Sequence, residues 1–185
     1  NIQLYFLIID HDLMPHSNKI AQYTQHNLIR HGIQNIFIKK WQHGIITYSI
    51  EEKARNARYE LIQNFIQEYN IETILLGHHL NDNIETFMMN ICRGTSIFGA
   101  DGMQEIRKNK GIYYVRPLLN LEKSQIINFM INNNIPWIDD PSNTDNHFKR
   151  NHIRSLLTAF DSREVKNISR FMSHTQEISK VINHY

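Results

Sequence analysis

The feature that most constrains this chain is a short apolar run, Thr73 to Leu76, that ends in Gly77 and opens directly into His78-His79-Leu80-Asn81-Asp82-Asn83-Ile84-Glu85-Thr86. A β-prone segment that passes through glycine into a helix loaded with ionisable groups is how open α/β sheets build a crevice at a strand's carboxyl end. Two units of the same kind precede it. Ile2 to Ile9 reads as a buried strand, followed by Asp10-His11-Asp12 and a helix from Ser17 to His31 closed by Gly32. Asn35 to Lys39 is a second strand, and Ser49-Ile50-Glu51-Glu52 has capping-box spacing before a helix that runs to about Tyr69. Strands alternating with helices predict an α/β fold, a doubly wound parallel sheet with right-handed crossovers.

Downstream, Asn81 to about Arg93 is the helix after the third strand, and Gly94 to Gly102 is a loop. Ile112 to Val115 is a further strand, halted at Arg116-Pro117, and Leu121 to Asn132 has apolar residues at helical spacing. Asp139 to Asn146 is rich in turn formers. Asn151 to Phe160 and Ser162 to Tyr185 read as C-terminal helices, the second with Val165, Ile168, Met172, Ile178 and Ile182 near one face, expected to pack on the domain. The length of 185 residues fits one domain with a small appendage, divided here as 1–160 and 161–185.

Bulk charge does not announce a nucleic-acid binder: 20 Lys and Arg face 18 Asp and Glu, although 11 His add positive charge below neutrality. Partners therefore have to be argued locally. The single Cys92 excludes an intrachain disulfide and a thiolate metal framework, which favours the cytoplasm or an organelle's interior. No apolar run approaches the roughly 18 residues that span a bilayer, so no membrane partner is expected. The chain opens on a strand without an initiating Met, and truncation upstream of Asn1 is expected.

Three clusters carry chemistry. On a helix starting near Leu80, His78 and Asp82 are four apart, His79 and Asp82 three apart, and Glu85 extends the same face by another turn. An imidazole beside a carboxylate is held in one orientation and its pKa rises, which suits proton handling, and the carboxylates also suit a cationic amine. The bland alternative stays open: the histidines finish a strand, and the carboxylates complement a helix amino terminus. Two His and one Asp are potential zinc ligands, but there is no extended zinc signature and no metal site is assigned. The second cluster is Arg55, Arg58 and Tyr59, either a fork for phosphate or carboxylate or a solvated face. The third is Asp140-Pro141-Ser142-Asn143 with Asp145, Phe148, Lys149, Arg150, Asn151, His152 and Arg154. It offers basic and amide groups beside an aromatic for a phosphate or splayed base, or else forms a capped turn before a surface helix.

On these residues, in this order and spacing, the chain resembles the tRNA(Ile)-lysidine synthetase family, within the N-type ATP pyrophosphatases of the PP-loop superfamily. The family's His-His-x-Asp-Asp-Gln-x-Glu-Thr motif and Arg-Gly loop are matched by His78 to Thr86 and Arg93-Gly94. Its Asp-Pro-Ser-Asn-x-Asp and Arg-Asn-x-x-Arg stretches are matched by Asp140 to Asp145 and Arg150 to Arg154, and Asp10-His11, Leu13 and Ser17 match an earlier motif. Asn81 stands in place of the motif's first Asp, Asn83 of its Gln, Asp12 of a small residue and Met14 of an Arg. Asn81 keeps a hydrogen-bonding oxygen, whereas Met14 removes a phosphate contact.

The resemblance implies a Rossmann-like sheet of the adenine nucleotide alpha hydrolase type, with the first strand and the Ser-Gly-Gly-x-Asp-Ser phosphate loop expected upstream of Asn1. It implies ATP and Mg2+, an isoleucine tRNA and free lysine as partners; a homodimer is left open. The reaction it implies has two steps. ATP adenylates the C2 oxygen of the wobble cytidine, releasing pyrophosphate, and the ε-amine of lysine then attacks C2 as AMP leaves. In that scheme His78, Asp82 and Arg150 are catalytic, while Glu85 holds the lysine ammonium. Arg58, Asn151 and Arg154 contact substrate, and Asp10, His11 and Arg55 contact ATP. The alternatives are a PP-loop thiolase, against which the lone Cys92 and the Asp-Pro-Ser-Asn stretch argue, and a nonenzymatic RNA-binding remnant.

Overall fold

A computed structural model describes residues 2–96, 99–138, 149–157 and 159–182, arranged in two compact units. The first comprises Asn1–Ile71 and Ile135–Asp139, the second Glu72–Asn134 and Asp140–Tyr185.

In the first unit β1 (Phe6–Asp10) pairs in parallel with β2 (Ile36–Lys40), in register from Phe6 opposite Ile36 to Asp10 opposite Lys40. Parallel neighbours need a crossover, and α1 (Ser17–Arg30) supplies it. The following helix, α2 (Ile50–Tyr69), buries Ala54, Ala57, Ile62, Phe65 and Ile66, which fall on one side of a helix with about 3.6 residues per turn. Phe65 and Tyr69 meet Tyr5 and Phe37 in a knot of rings whose centroids lie 4.6 to 6.2 Å apart. The helix starts where its sequence indicates, but without the expected capping box. Ser49 sits at φ 49°, ψ 39° and its hydroxyl caps nothing, because a capping serine needs extended backbone to reach the N2 or N3 amide. At the other end Asn70 takes the left-handed conformation (φ 51°) and returns its N–H to the Ile66 carbonyl, a common way to close a helix.

In the second unit β3 (Thr73–Leu75) pairs in parallel with β5 (Ile112–Val115), and β5 pairs antiparallel with β4 (Ile106–Asn109), giving the order β3-β5-β4. The hairpin strand β4 is absent from the sequence-based expectation. Its Ile-Arg-Lys-Asn is exposed throughout and so carries no alternation to detect. The turn is made by Lys110 and Gly111, both with positive φ (48° and 86°), the geometry that matches hairpin twist.

The core of this unit lies on α3 (Leu80–Cys92), where Leu80, Ile84 and Phe87 pack with Ala100 and with Met172 of α6 (Ser162–Ile182). Met88, Leu157, Val165 and Ile168 surround them, Leu157 coming from α5 (Lys149–Leu157). The expected stripe on α6 is correct in its first half only. Met172, Thr175 and Ser179 are the buried positions, whereas Ile178 and Ile182 are 46% and 49% exposed. Spacings of three and four carry the buried face from 172 through 175 to 179, and position 178 falls off that line. Among the described residues, no helix is long and apolar enough to cross a membrane.

Candidate functional site

The site grows from the turn between β3 and α3. The Leu76 N–H extends the parallel pairing to the Val115 carbonyl at 2.8 Å, after which the chain leaves the sheet through Gly77 and the half-buried His78. His79 then caps α3, and it does so reciprocally. Its Nδ1 faces the Asp82 N–H at 3.4 Å, and its own N–H donates to Asp82 Oδ2 at 3.1 Å. Serine and threonine usually fill this role. The neighbouring Asn81 reaches outward and accepts the Lys123 N–H at 2.9 Å, binding α4 (Lys123–Asn132) to the start of α3. The oxygen that asparagine shares with aspartate is therefore put to structural use.

Arg154 of α5 closes the site. Its Nε donates to Glu85 Oε1 at 2.7 Å and its Nη2 lies 3.7 Å from Asp82 Oδ1. Glu85 is only 5% exposed, so a guanidinium fork is the natural counter-ion for a carboxylate taken out of water. Asp82, Glu85, Arg154 and the cap His79 thus form one cluster, and His78 is the half-buried residue that precedes the cap. Arg150 and Asn151 lie in the first turn of α5, but their side chains, like the whole run Asp140 to Asp145, lie outside the described residues.

His79 corrects the expectation that an imidazole here is pushed upward. Burial holds its pKa below the ordinary 6.5, outweighing Asp82 and Glu85, which pull it up; Lys123 and Arg154 add to the depression. Unfolded, the ring binds a proton first as pH falls. Its contribution to stability is therefore present above 6.5 and lost below it. Between about pH 7 and about pH 5 the parent chain should lose melting temperature more steeply than His79→Asn; parallel curves would contradict this.

In the first unit the carboxyl ends of β1 and β2 and the residues after them form a second cluster. Asp10, 5% exposed, accepts the Asp12 N–H at 2.9 Å, and Asp12 pairs with Lys40 at 2.8 Å. The Arg58 guanidinium meets His11 Nε2 at 3.1 to 3.2 Å. His43 spans the carbonyls of His11 (3.0 Å) and Gly44 (2.7 Å), contacts that raise its pKa, the Gly44 one most. Arg55 lies over the Tyr59 ring at 5.4 Å. Asp10, His11 and Arg58 are thus together here, with Arg55 one helical turn away on α2. Among the described residues, no group of three or more His, Cys, Asp or Glu is arranged to hold a metal ion.

Sequence reasoning placed His79 beside Asp82 but gave it no role, although its spacing to Asp82 is that of a cap to its N3 partner. It missed Asn83, 3% exposed, whose Oδ1 accepts the Met103 N–H at 2.6 Å.

A family model described as a PP-loop domain matches residues 1–160. Proteins named tRNA(Ile)-lysidine synthase are similar to the chain: 32% identical over 181 residues in Wolbachia pipientis, covering 97% of this chain and 42% of that one. In Orientia tsutsugamushi the identity is 34% over 155 residues, covering 84% and 35%, and in Rickettsia rickettsii 31% over 157 residues, covering 85% and 32%. The chain thus spans 42% or less of the length of these relatives. Among solved structures, a U34-tRNA thiolase from Methanococcus maripaludis with its [4Fe-4S] cluster has a TM-score of 0.69 at 12% identity, covering 91% of this chain and 61% of that one. At that identity the likeness speaks for the fold.

Proposed function

The chain belongs to the PP-loop domain family, and we propose that it carries the base- and lysine-handling part of a tRNA(Ile)-lysidine synthetase. The fold is the adenine nucleotide alpha hydrolase type of that family. The observation that carries the functional reading is the meeting of Asp82 and Glu85 with Arg154, 69 positions beyond Glu85. These residues come from the two runs, His78 to Thr86 and Arg150 to Arg154, on which the resemblance to lysidine synthetases rests. The relatives that bear that name support the same reading.

In this proposal ATP is a substrate. The C2 oxygen of the wobble cytidine takes the adenylyl group and pyrophosphate leaves; the lysine ε-amine then forms the C2–N bond as the C2–O bond breaks and AMP departs. The amine arrives as an ammonium, so the site must hold a cation and then take its proton. Glu85 and Asp82 supply the negative field, and Arg154 keeps both carboxylates oriented. His78 and Asp82 are the proton acceptors, and Arg150 and Asn151 are assigned to the nucleotide. Arg58 with His11, Asp10 and Arg55 serves the polyphosphate, whose charge suits the guanidinium of Arg58. The described residues do not fit a resident magnesium, and no step is assigned to it.

Asp82→Asn keeps an oxygen for the His79 N–H and so preserves the cap. In the intact protein, supplied with ATP, lysine and tRNA(Ile), it should lower lysidine formation by about a hundredfold to ten-thousandfold without changing the melting temperature. Near-normal turnover sinks the role of Asp82, and sulfur in place of lysine in the product transfers the reading to a thiolase.

A further inference from the structure

We propose that His79 is a positioning residue for Asp82, acting as a neutral imidazole protonated on Nε2. Resting on the assignment of Asp82 to the reacting centre, the inference follows from which atoms face each other. Nδ1 looks at a backbone N–H, that of Asp82 at 3.4 Å, and must present a lone pair to it. In a neutral ring the proton is then on Nε2, which lies 3.5 Å from Asp82 Oδ2. The same oxygen accepts the His79 backbone N–H at 3.1 Å. One residue therefore donates its backbone N–H to Oδ2 and brings its ring Nε2 to 3.5 Å from the same oxygen, while Arg154 faces Oδ1 at 3.7 Å. Both His79 and Asp82 are largely withdrawn from water, at 19% and 14% side-chain exposure, which strengthens such contacts. A serine or asparagine cap would satisfy the helix as well. Only the longer ring also presents a donor to the carboxylate.

The two duties can be separated by substitution. Asparagine caps helices, so His79→Asn keeps an acceptor for the Asp82 N–H but offers no group where Nε2 stands. In the intact protein its melting temperature should stay within about a degree of the parent while kcat falls about tenfold or more, KM for lysine changing less than about threefold. His79→Ala, which loses the cap as well, should melt about 2–4 °C lower. A His79→Asn protein with parental kcat overturns the inference. Parental turnover in Asp82→Asn, measured alongside, instead removes the reading of Asp82. Long-range imidazole ¹H–¹⁵N spectra give a readout independent of turnover: a proton on Nε2 agrees with the inference, and a proton on Nδ1 overturns it.

Discussion

Replacing Arg154 by Ala should destabilise the chain by about 2–3 kcal/mol in urea melts and, under the proposed function, reduce lysidine formation along with it. The loss comes from Glu85, a buried residue of α3 whose carboxylate receives the Arg154 Nε–H at 2.7 Å. Removing one member of a buried ion pair leaves the other desolvated without its counter-charge, which costs about 3–5 kcal/mol when both are fully buried. Arg154 is 30% exposed, so water softens the loss and the lower figure applies. Lysine at this position restores charge but not the planar fork, and should recover only part of the loss. Leu at both 85 and 154 should recover more than Arg154→Leu alone, because it is the unpaired carboxylate that is expensive. A loss below about 0.5 kcal/mol for Arg154→Ala would mean that the pair is an exposed one in solution.

Phe87→Ala should be the most damaging single truncation, at about 3–5 kcal/mol. Phe87 is 2% exposed and sits within the cluster of Leu80, Ile84, Ala100 and Met172, with its ring 6.0 Å from that of Phe171. Its loss opens a cavity at the seam where α6 is held on α3. The expected accompaniment is faster proteolysis within residues 162–182, checked against Phe87→Leu, which should cost less than about 1.5 kcal/mol if neighbours repack. Equal protease resistance in parent and Phe87→Ala would show that α6 is held by other contacts.

Both predictions concern α3, and α3 was legible in the sequence. Its apolar residues recur with helical period, and its start is announced by Gly77 and the ionisable run. β5 and α2 were legible for the same reason: one is a compact apolar run and the other a long periodic one. What escaped was set by geometry that spacing does not encode. Ser49 and Glu52 have capping-box spacing, yet the left-handed backbone at Ser49 forbids the box, while His79 and Asp82 form one with an uncommon cap residue. The direction of the His79 pKa depended on burial competing with nearby carboxylates, a contest that adjacency alone decides wrongly. The Glu85–Arg154 pair was half legible. Both residues were singled out, but their contact depends on α5 returning across α3, which no local pattern specifies.

The segment after α3 adds a constraint of a different kind. Gly102 turns at φ 69°, and a side chain there would meet Asn83 Oδ1 at 2.7 Å and the Met172 sulfur at 2.9 Å. The Gln176 amide also donates to the carbonyls of Asp101 and Met103, so this three-residue stretch is sewn to both α3 and α6. Position 83, where the lysidine synthetase motif carries the longer glutamine, therefore has no freedom of its own. A larger residue at 83 must be met by an outward step of the stretch around 102, and a larger residue at 102 by a retreat at 83 and 172. The three positions are a steric lock, and they should change in concert or not at all when this protein diverges.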